Sequence, residues 1–326
     1  MNTTPIGVLL VNLGTPESFQ VKDIRQYLKL FLSDPRVVEL PKWLWQPILR
    51  GLILPFRAPK LVHKYRSIWL KDGSPLFVYT QAQAKALQQE LATENVVVDM
   101  AMRYGNPDLG SAIERLKKQA CERILIVPMY PQYAASTTAT LFDRVAELSK
   151  TWREQPDYRF IKRFCAHPDY IQSLSTKIAR YWDKNGTPQR LLLSFHGLPQ
   201  RAVDLGDPYQ QDCQQTAALL RDALSVYNVP IDISFQSQFG KAKWIEPATQ
   251  AVLEAYPSQG IKQVDVICPG FVADCLETLE EIQLGCADAF KQKGGEQFRY
   301  IPCLNDDPEW IKALANIVRE RLGSWS

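Results

Sequence analysis

Short β-branched, nearly continuous apolar runs alternate along this chain with longer stretches of helical period. The runs are IGVLLVNL (6–13), VVVDMAM (96–102), RILIVPMYP (123–131), RFIKRFCA (159–166), RLLLSFHG (190–197), DISFQSQF (232–239) and VDVICPGF (264–271). A strand with one wet face alternates apolar and polar residues, whereas a strand buried on both faces does not, so these runs predict parallel strands covered by helices. Apolar residues recur at helical spacing over 21–32, 80–93, 108–120, 139–153, 168–183, 208–226, 246–256, 274–292 and 308–322, which supplies the crossovers. The pattern is that of an α/β fold built from doubly wound, Rossmann-like parallel sheets. Three strands fall before about residue 135 and four after about residue 158, and 326 residues exceed what one core usually supports. Two similar domains joined near 138 follow.

Residues 40–60, LPKWLWQPILRGLILPFRAPK, break the alternation. Trp43, Trp45, Leu49, Leu52, Ile53, Leu54 and Phe56 interleave with Lys42, Arg50, Arg57 and Lys60, as on a surface helix with an apolar face beneath basic residues. Such a face suits a membrane interface, the mouth of an apolar ligand site, or packing on its own domain. It is not a membrane span: Arg50 and two prolines interrupt WLWQPILRGLILPF, and no other stretch reaches the roughly 20 apolar residues that a bilayer requires. The N-terminal MNTTPIGVLLVNLGTPES has no basic segment before its apolar run and no small-residue cleavage pattern after it, so it reads as a first buried strand of a soluble chain.

Charge and cysteine usage narrow the setting. Lys plus Arg number 38 against 35 for Asp plus Glu, a balance that argues against a nucleic-acid partner. Seven cysteines form no C-x-x-C pair, and an odd count fits reduced thiols in a cytoplasm rather than a disulfide framework.

Ligands of open parallel sheets bind outside the carboxyl ends of the strands. That rule selects Asn12 to Pro16, Arg103 to Gly105, Pro131 to Tyr133, Ser194 to Pro199, Gln236 to Gly240 and Phe271 to Asp274. The first strand-to-helix turn, NLGTPES, has one glycine and is no dinucleotide turn; a phosphate-binding P-loop, a G-x-S-x-G elbow and an H-E-x-x-H pair are also missing from the sequence. His196, one of three histidines, ends an apolar strand before a Gly-Leu-Pro turn and reads as a proton acceptor or a metal ligand. In CPGFVADCLETLEEI (268–282), a helix starting near Asp274 places Asp274, Glu277 and Glu281 on one face and turns Glu280 elsewhere. Cys275, Leu279, Ile282 and Cys286 fall on a different, apolar face, so both thiols read as core residues. The helix dipole alone favours carboxylates at a helix start, but a stripe of three beside a strand-end histidine also makes a path for a labile divalent cation. Trp244 and Tyr133 offer flat apolar walls for a planar ligand.

The stretches LLVNLGTPES, DGSPL, MRYGNP, PQYAASTTAT, LLSFHGLP, QSQFGKAKWIEP and CPGFVADCLETLEEI, in order from about residue 8 to 282, closely resemble the ferrochelatases, which insert ferrous iron into a porphyrin. The resemblance implies two similar α/β domains with a porphyrin cleft between them. The domains would span 1–138 plus 305–326 and 139–304, the helix at 308–322 returning to the first and the second carrying the chemistry. It implies His196 and Glu277 as catalytic residues that contact iron, with Asp274 and Glu281 in support. Leu13, Arg103, Tyr104, Tyr133 and Trp244 fall where the family meets porphyrin, and residues 40–60 correspond to its apolar lip. Fe2+ and porphyrin are then substrates, with no tightly bound cofactor. Animal members place [2Fe-2S] cysteines in a C-terminal extension; no cysteine follows Cys303 here, so no such cluster is expected. Gly285 stands where some members carry a further acid. The expected location is the cytoplasm, with peripheral contact at the inner face of the membrane through 40–60. The rivals are a coproporphyrin or cobalt chelatase of the same fold, a haem or porphyrin carrier, and an iron-sulfur regulator.

Overall fold

Among the described residues, eight strands, each long enough only to cross one layer, arrange as two parallel sheets of four. The fold is that of a computed structural model, which describes residues 4–240 and 242–325. The first sheet contains β1 (Ile6–Asn12), β2 (Val96–Met102), β3 (Arg123–Pro128) and β4 (Asp157–Phe160) in the order β2-β1-β3-β4. The second contains β5 (Arg190–His196), β6 (Ile231–Gln236), β7 (Gln263–Ile267) and β8 (Gln297–Tyr300) in the order β6-β5-β7-β8. Each sheet therefore reverses its strand order beside its first strand, and crevices for ligands open at the carboxyl ends on either side of such a reversal. In the second sheet that position falls between the end of β5, at His196, and the segment after β7.

Burial explains the near-continuous apolar runs. Every residue of β1 is buried, and β3 is buried from Ile124 to Pro128. The first core gathers Leu9, Val11, Ile113, Leu116, Ile124, Ile126, Leu141 and Val145, so the helix Thr140–Ser149 packs on the first sheet. The second gathers Leu192, Leu253, Val264, Val266, Ile282 and Phe290. The chain divides into two compact units, Met1–Tyr130 with Ala134–Lys162 and Leu314–Ser326, and Pro131–Tyr133 with Arg163–Ala313.

Three features depart from the sequence reading. The run at 159–166, expected to open the second domain, contributes β4, whose residues Asp157–Phe160 pair with Arg123–Ile126 of β3 in the first sheet. An edge strand needs few residues, and the remaining apolar ones line the loop beyond it, so the first unit extends past the expected junction near 138 to Lys162. The second departure is β8, whose sequence QFRY has no apolar run. Its anchor is Arg299, paired in register with Asp265 of β7. Two guanidinium nitrogens donate to the fully buried Asp265 carboxylate at 2.6 and 2.9 Å, and Trp182 Nε1 donates to it at 2.8 Å. The third is the helix expected from residue 80, which begins at Pro75 because the Ser74 hydroxyl caps it, accepting from Phe77 N, with proline in the first turn.

Residues 42–68 are helical throughout, as Lys42–Ile48, a π-helical insert at Leu49–Ile53, and Leu54–Ile68. Leu49, Leu54, Ala58, Tyr65 and Ile68 are buried, whereas Trp43 is 79 %, Phe56 63 % and Leu52 55 % exposed.

Candidate active site

The segment after β7 carries the acids, and its geometry differs from a regular α-helix. Glu277–Cys286 is a π-helix, whose wider i→i+5 turn is rare and recurs at functional sites. Helical structure starts only after Asp274, and that residue leaves the expected stripe. Asp274 is 2 % exposed; its Oδ1 accepts from Tyr300 Oη at 2.5 Å and Thr278 Oγ1 at 2.9 Å, and its Oδ2 from Asn305 Nδ2 at 2.7 Å. Its carboxylate is consumed in tying the start of the π-helix to the segment after β8.

Glu281 lies close enough to His196 and to Glu277 to feel the charge of each. His196 Nδ1 lies 2.7 Å from the carbonyl oxygen of Gly197. A carbonyl only accepts, so Nδ1 carries the proton and Nε2 keeps the basic lone pair of the neutral ring. The strand-end turn is tight: Gly197 N donates to Gln236 O at 2.7 Å, and a Cβ on Gly197 would sit 2.5 Å from that oxygen. Phe271 packs beside the imidazole with ring centroids 6.3 Å apart.

Two neighbours from the end of β6 place the acids. Gln236, 2 % exposed and paired in register with His196, donates from Nε2 to the Glu277 carbonyl at 2.7 Å and accepts from Ser194 Oγ at 2.7 Å. Ser237, held at a left-handed φ of 63°, donates to the two Glu281 oxygens from its N–H at 2.6 Å and its hydroxyl at 2.5 Å. Burial pushes the Glu281 carboxyl up; the Ser237 hydroxyl, His196 and the Ser237 N–H pull it down, while Glu277 adds to the rise. Neither Gln236 nor Ser237 had a role assigned from sequence, although both stand in a strand-end segment that the carboxyl-end rule selects.

All seven cysteines are buried. Burial pushes the Cys286 thiol up to about 12 and also holds Cys268, Cys275 and Cys303 well above the ordinary thiol range, so these sulfurs are neutral packing groups rather than thiolate ligands. Among the described residues, no three His, Cys, Asp or Glu side chains converge as a ready-made metal site. In the same unit Trp244 is partly buried; its Nε1 donates to Phe239 O at 3.0 Å, and its strand segment bridges Pro199. The N–H of Tyr133, also partly exposed, donates to Asp212 at 3.0 Å.

In the first unit Leu13 is partly exposed after β1, and the segment after β2 runs directly against it. Gly14, at φ 118°, allows the approach, since a Cβ there would lie 1.8 Å from Tyr104 O. Arg103 keeps a partly exposed side chain, whereas Tyr104 is 2 % exposed, with its hydroxyl donating to Asp34 at 2.8 Å. That phenol is turned into the core, and only Arg103 of the pair offers polar atoms outward.

Comparison with known proteins bears on the family and the fold. The family model for ferrochelatase matches residues 5–322. The ferrochelatase of Bordetella pertussis is 52 % identical over 322 residues, covering 98 % of this chain and 89 % of that protein. The ferrochelatase of Neisseria gonorrhoeae is 50 % identical over 319 residues, covering 98 % and 94 %. Among solved structures, SirB from Bacillus subtilis with Fe3+ matches at a TM-score of 0.58 and 14 % identity, covering 98 % of this chain and 97 % of its own. CbiX, described as the terminal enzyme of sirohaem biosynthesis in denitrifying bacteria, matches at 0.54 and 17 %, covering 97 % and 100 %; both likenesses concern the fold. The chain belongs to the ferrochelatase family, the lyases that insert ferrous iron into a porphyrin in haem biosynthesis.

Proposed function

We propose that this chain inserts Fe2+ into protoporphyrin IX, with His196 and Glu277 as the catalytic pair. A free porphyrin carries two inner N–H groups, so insertion needs two protons removed and a cation delivered to the ring nitrogens. His196 accepts a pyrrole proton at Nε2. The observation that supports this reading is the Nδ1–H bond to Gly197 O, which fixes the tautomer and leaves Nε2 as the base. Glu277 holds the incoming iron or relays protons, and Glu281, kept in place by Ser237, supports it from one turn further along the π-helix. Asp274 acts as a structural support of that helix rather than as a ligand. Leu13, Arg103, Tyr133 and Trp244 contact the porphyrin, and Tyr104 backs Arg103 from the core. The exposed Trp43, Leu52 and Phe56 beside Lys42, Arg50 and Arg57 give the chain a peripheral contact with the cytoplasmic face of a membrane; among the described residues no helix is long and apolar enough to cross one.

The assignment is tested by His196→Ala and Glu277→Ala in anaerobic assays with ferrous iron. Each variant should lose insertion by about a hundredfold or more while its porphyrin affinity, read from fluorescence, stays near that of the parent chain. Full activity in both would remove the assignment. Comparing rates on protoporphyrin and coproporphyrin tests the substrate, and a higher kcat/KM on coproporphyrin would replace the first by the second.

A further inference from the structure

Asp34 lies outside every segment that the strand-end rule selects, yet it collects the donors around Arg103. It follows the helix Val21–Leu32, and its backbone turn is closed by its own carboxylate: Oδ1 accepts from Arg36 N at 2.8 Å. The other oxygen, Oδ2, accepts from Arg103 Nη2 at 2.6 Å, Tyr104 Oη at 2.8 Å and Thr140 Oγ1 at 2.5 Å. Thr140 donates its only proton to Asp34, so its oxygen is an acceptor for Arg103 Nε at 2.9 Å; the Thr140 carbonyl lies 3.2 Å from the same nitrogen. The guanidinium carbon sits 4.5 Å from the centre of the Tyr104 ring. The Arg103 fork is thus gripped on one edge and across one face. Among the described residues, Nη1 alone of its nitrogens has no partner, and the Arg103 side chain keeps 15 % of its surface exposed against 5 % for Asp34.

An arginine on a four-bond stem samples many directions, and holding it in one costs rotamer entropy at every binding event unless the protein has already fixed it. We infer that Asp34 is a positioning residue, which with Thr140 fixes Arg103 so that its Nη1–H2 edge is offered to the porphyrin. The inference rests on the reading that Arg103 contacts porphyrin. The rim carboxylates of a porphyrin are acceptors that this edge suits.

The test measures porphyrin KM and kcat for the full chain carrying Asp34→Asn, Arg103→Ala and both. Asparagine keeps an oxygen for Arg36 N but sets an amide NH2 against three donors. The expected result is an increase in KM of about tenfold for Asp34→Asn, with the loss in kcat/KM falling on KM, and a double variant no worse than Arg103→Ala alone. That non-additivity is what a merely structural role would not produce. An unchanged KM in Arg103→Ala overturns the porphyrin contact and the positioning role with it. A raised KM in Arg103→Ala with a parental KM in Asp34→Asn overturns the positioning role alone, as do additive effects in the double variant. Should Asp34→Asn fail to fold, the near-isosteric Thr140→Val removes the closer of the two Nε acceptors, together with the hydroxyl bond to Asp34, and must raise KM; a parental KM there overturns the proposal.

Discussion

The proton-acceptor role proposed for His196 turns on what its other nitrogen does. A neutral imidazole has one donor and one acceptor, and the donor is spent on the Gly197 carbonyl 2.7 Å away. Glu281 shows the complementary control. Burial raises its proton affinity, and the two Ser237 donors lower it by stabilising the charged form. Removing the hydroxyl, the stronger of the two and the one an alanine lacks, should therefore raise the carboxyl further. If the ionised carboxylate serves the cation, activity is present above that titration and lost as pH falls through it. Ser237→Ala should then shift the acid limb of the insertion profile toward higher pH, as read from kcat/KM against pH. A limb that stays in place or moves lower would count against a role for ionised Glu281.

His196 stood out as a candidate because the carboxyl ends of strands can be read from apolar runs, and Glu277 and Glu281 because helical spacing puts them on one face beyond such an end. Asp274 was not: equal spacing on an ideal helix put it with the others, but the helix begins later and the carboxylate is taken by Tyr300, Thr278 and Asn305. The roles of Ser237 and Asp34 were also hidden. A left-handed serine and a carboxylate whose donors lie at Arg103, Tyr104 and Thr140 leave no periodic trace.

Among the elements, the strands with the weakest sequence signal are edge strands held by polar or short-range devices. β8 is the clearest case. Arg299 joins the buried Asp265 and also donates to the carbonyls of Asn185 at 2.5 Å and Gly186 at 2.8 Å, closing the end of the helix Pro168–Asn185. Arg299→Ala would strand a buried carboxylate and expose those carbonyls, lowering stability by about 3 kcal/mol, measured as a reduced urea midpoint. A change below about 0.5 kcal/mol would show that β8 is held by something else. The π-helix is the element that the sequence concealed most fully, since Glu277–Cys286 keeps an amphipathic pattern compatible with an α-helix. Gln236 bonds its first carbonyl. Gln236→Leu should reduce kcat while sparing porphyrin affinity, because it loosens Glu277 without touching the ring; equal kcat in parent and variant would remove Gln236 from the positioning set.

For the whole molecule, the two sheets repeat one strand order but divide the polar chemistry unequally. The second unit carries His196, Glu277 and Glu281; the first carries Arg103 with its Asp34 grip and the exposed apolar helix. If the proposed membrane contact holds, the basic residues around Trp43 and Phe56 should select anionic lipid. Trp43→Ser with Phe56→Ser should reduce co-sedimentation with anionic vesicles by tenfold or so while leaving porphyrin-free stability unchanged, and equal binding would free that face from the membrane. The proton acceptor remains the centre of the account, and chemical rescue addresses it directly. Single-turnover insertion by His196→Ala should be nearly absent, return on addition of free imidazole, and stay absent in Glu277→Ala under the same addition. Insertion by His196→Ala at the parental rate without imidazole, or porphyrin-saturated His196→Ala that imidazole never rescues, would contradict His196 as the base.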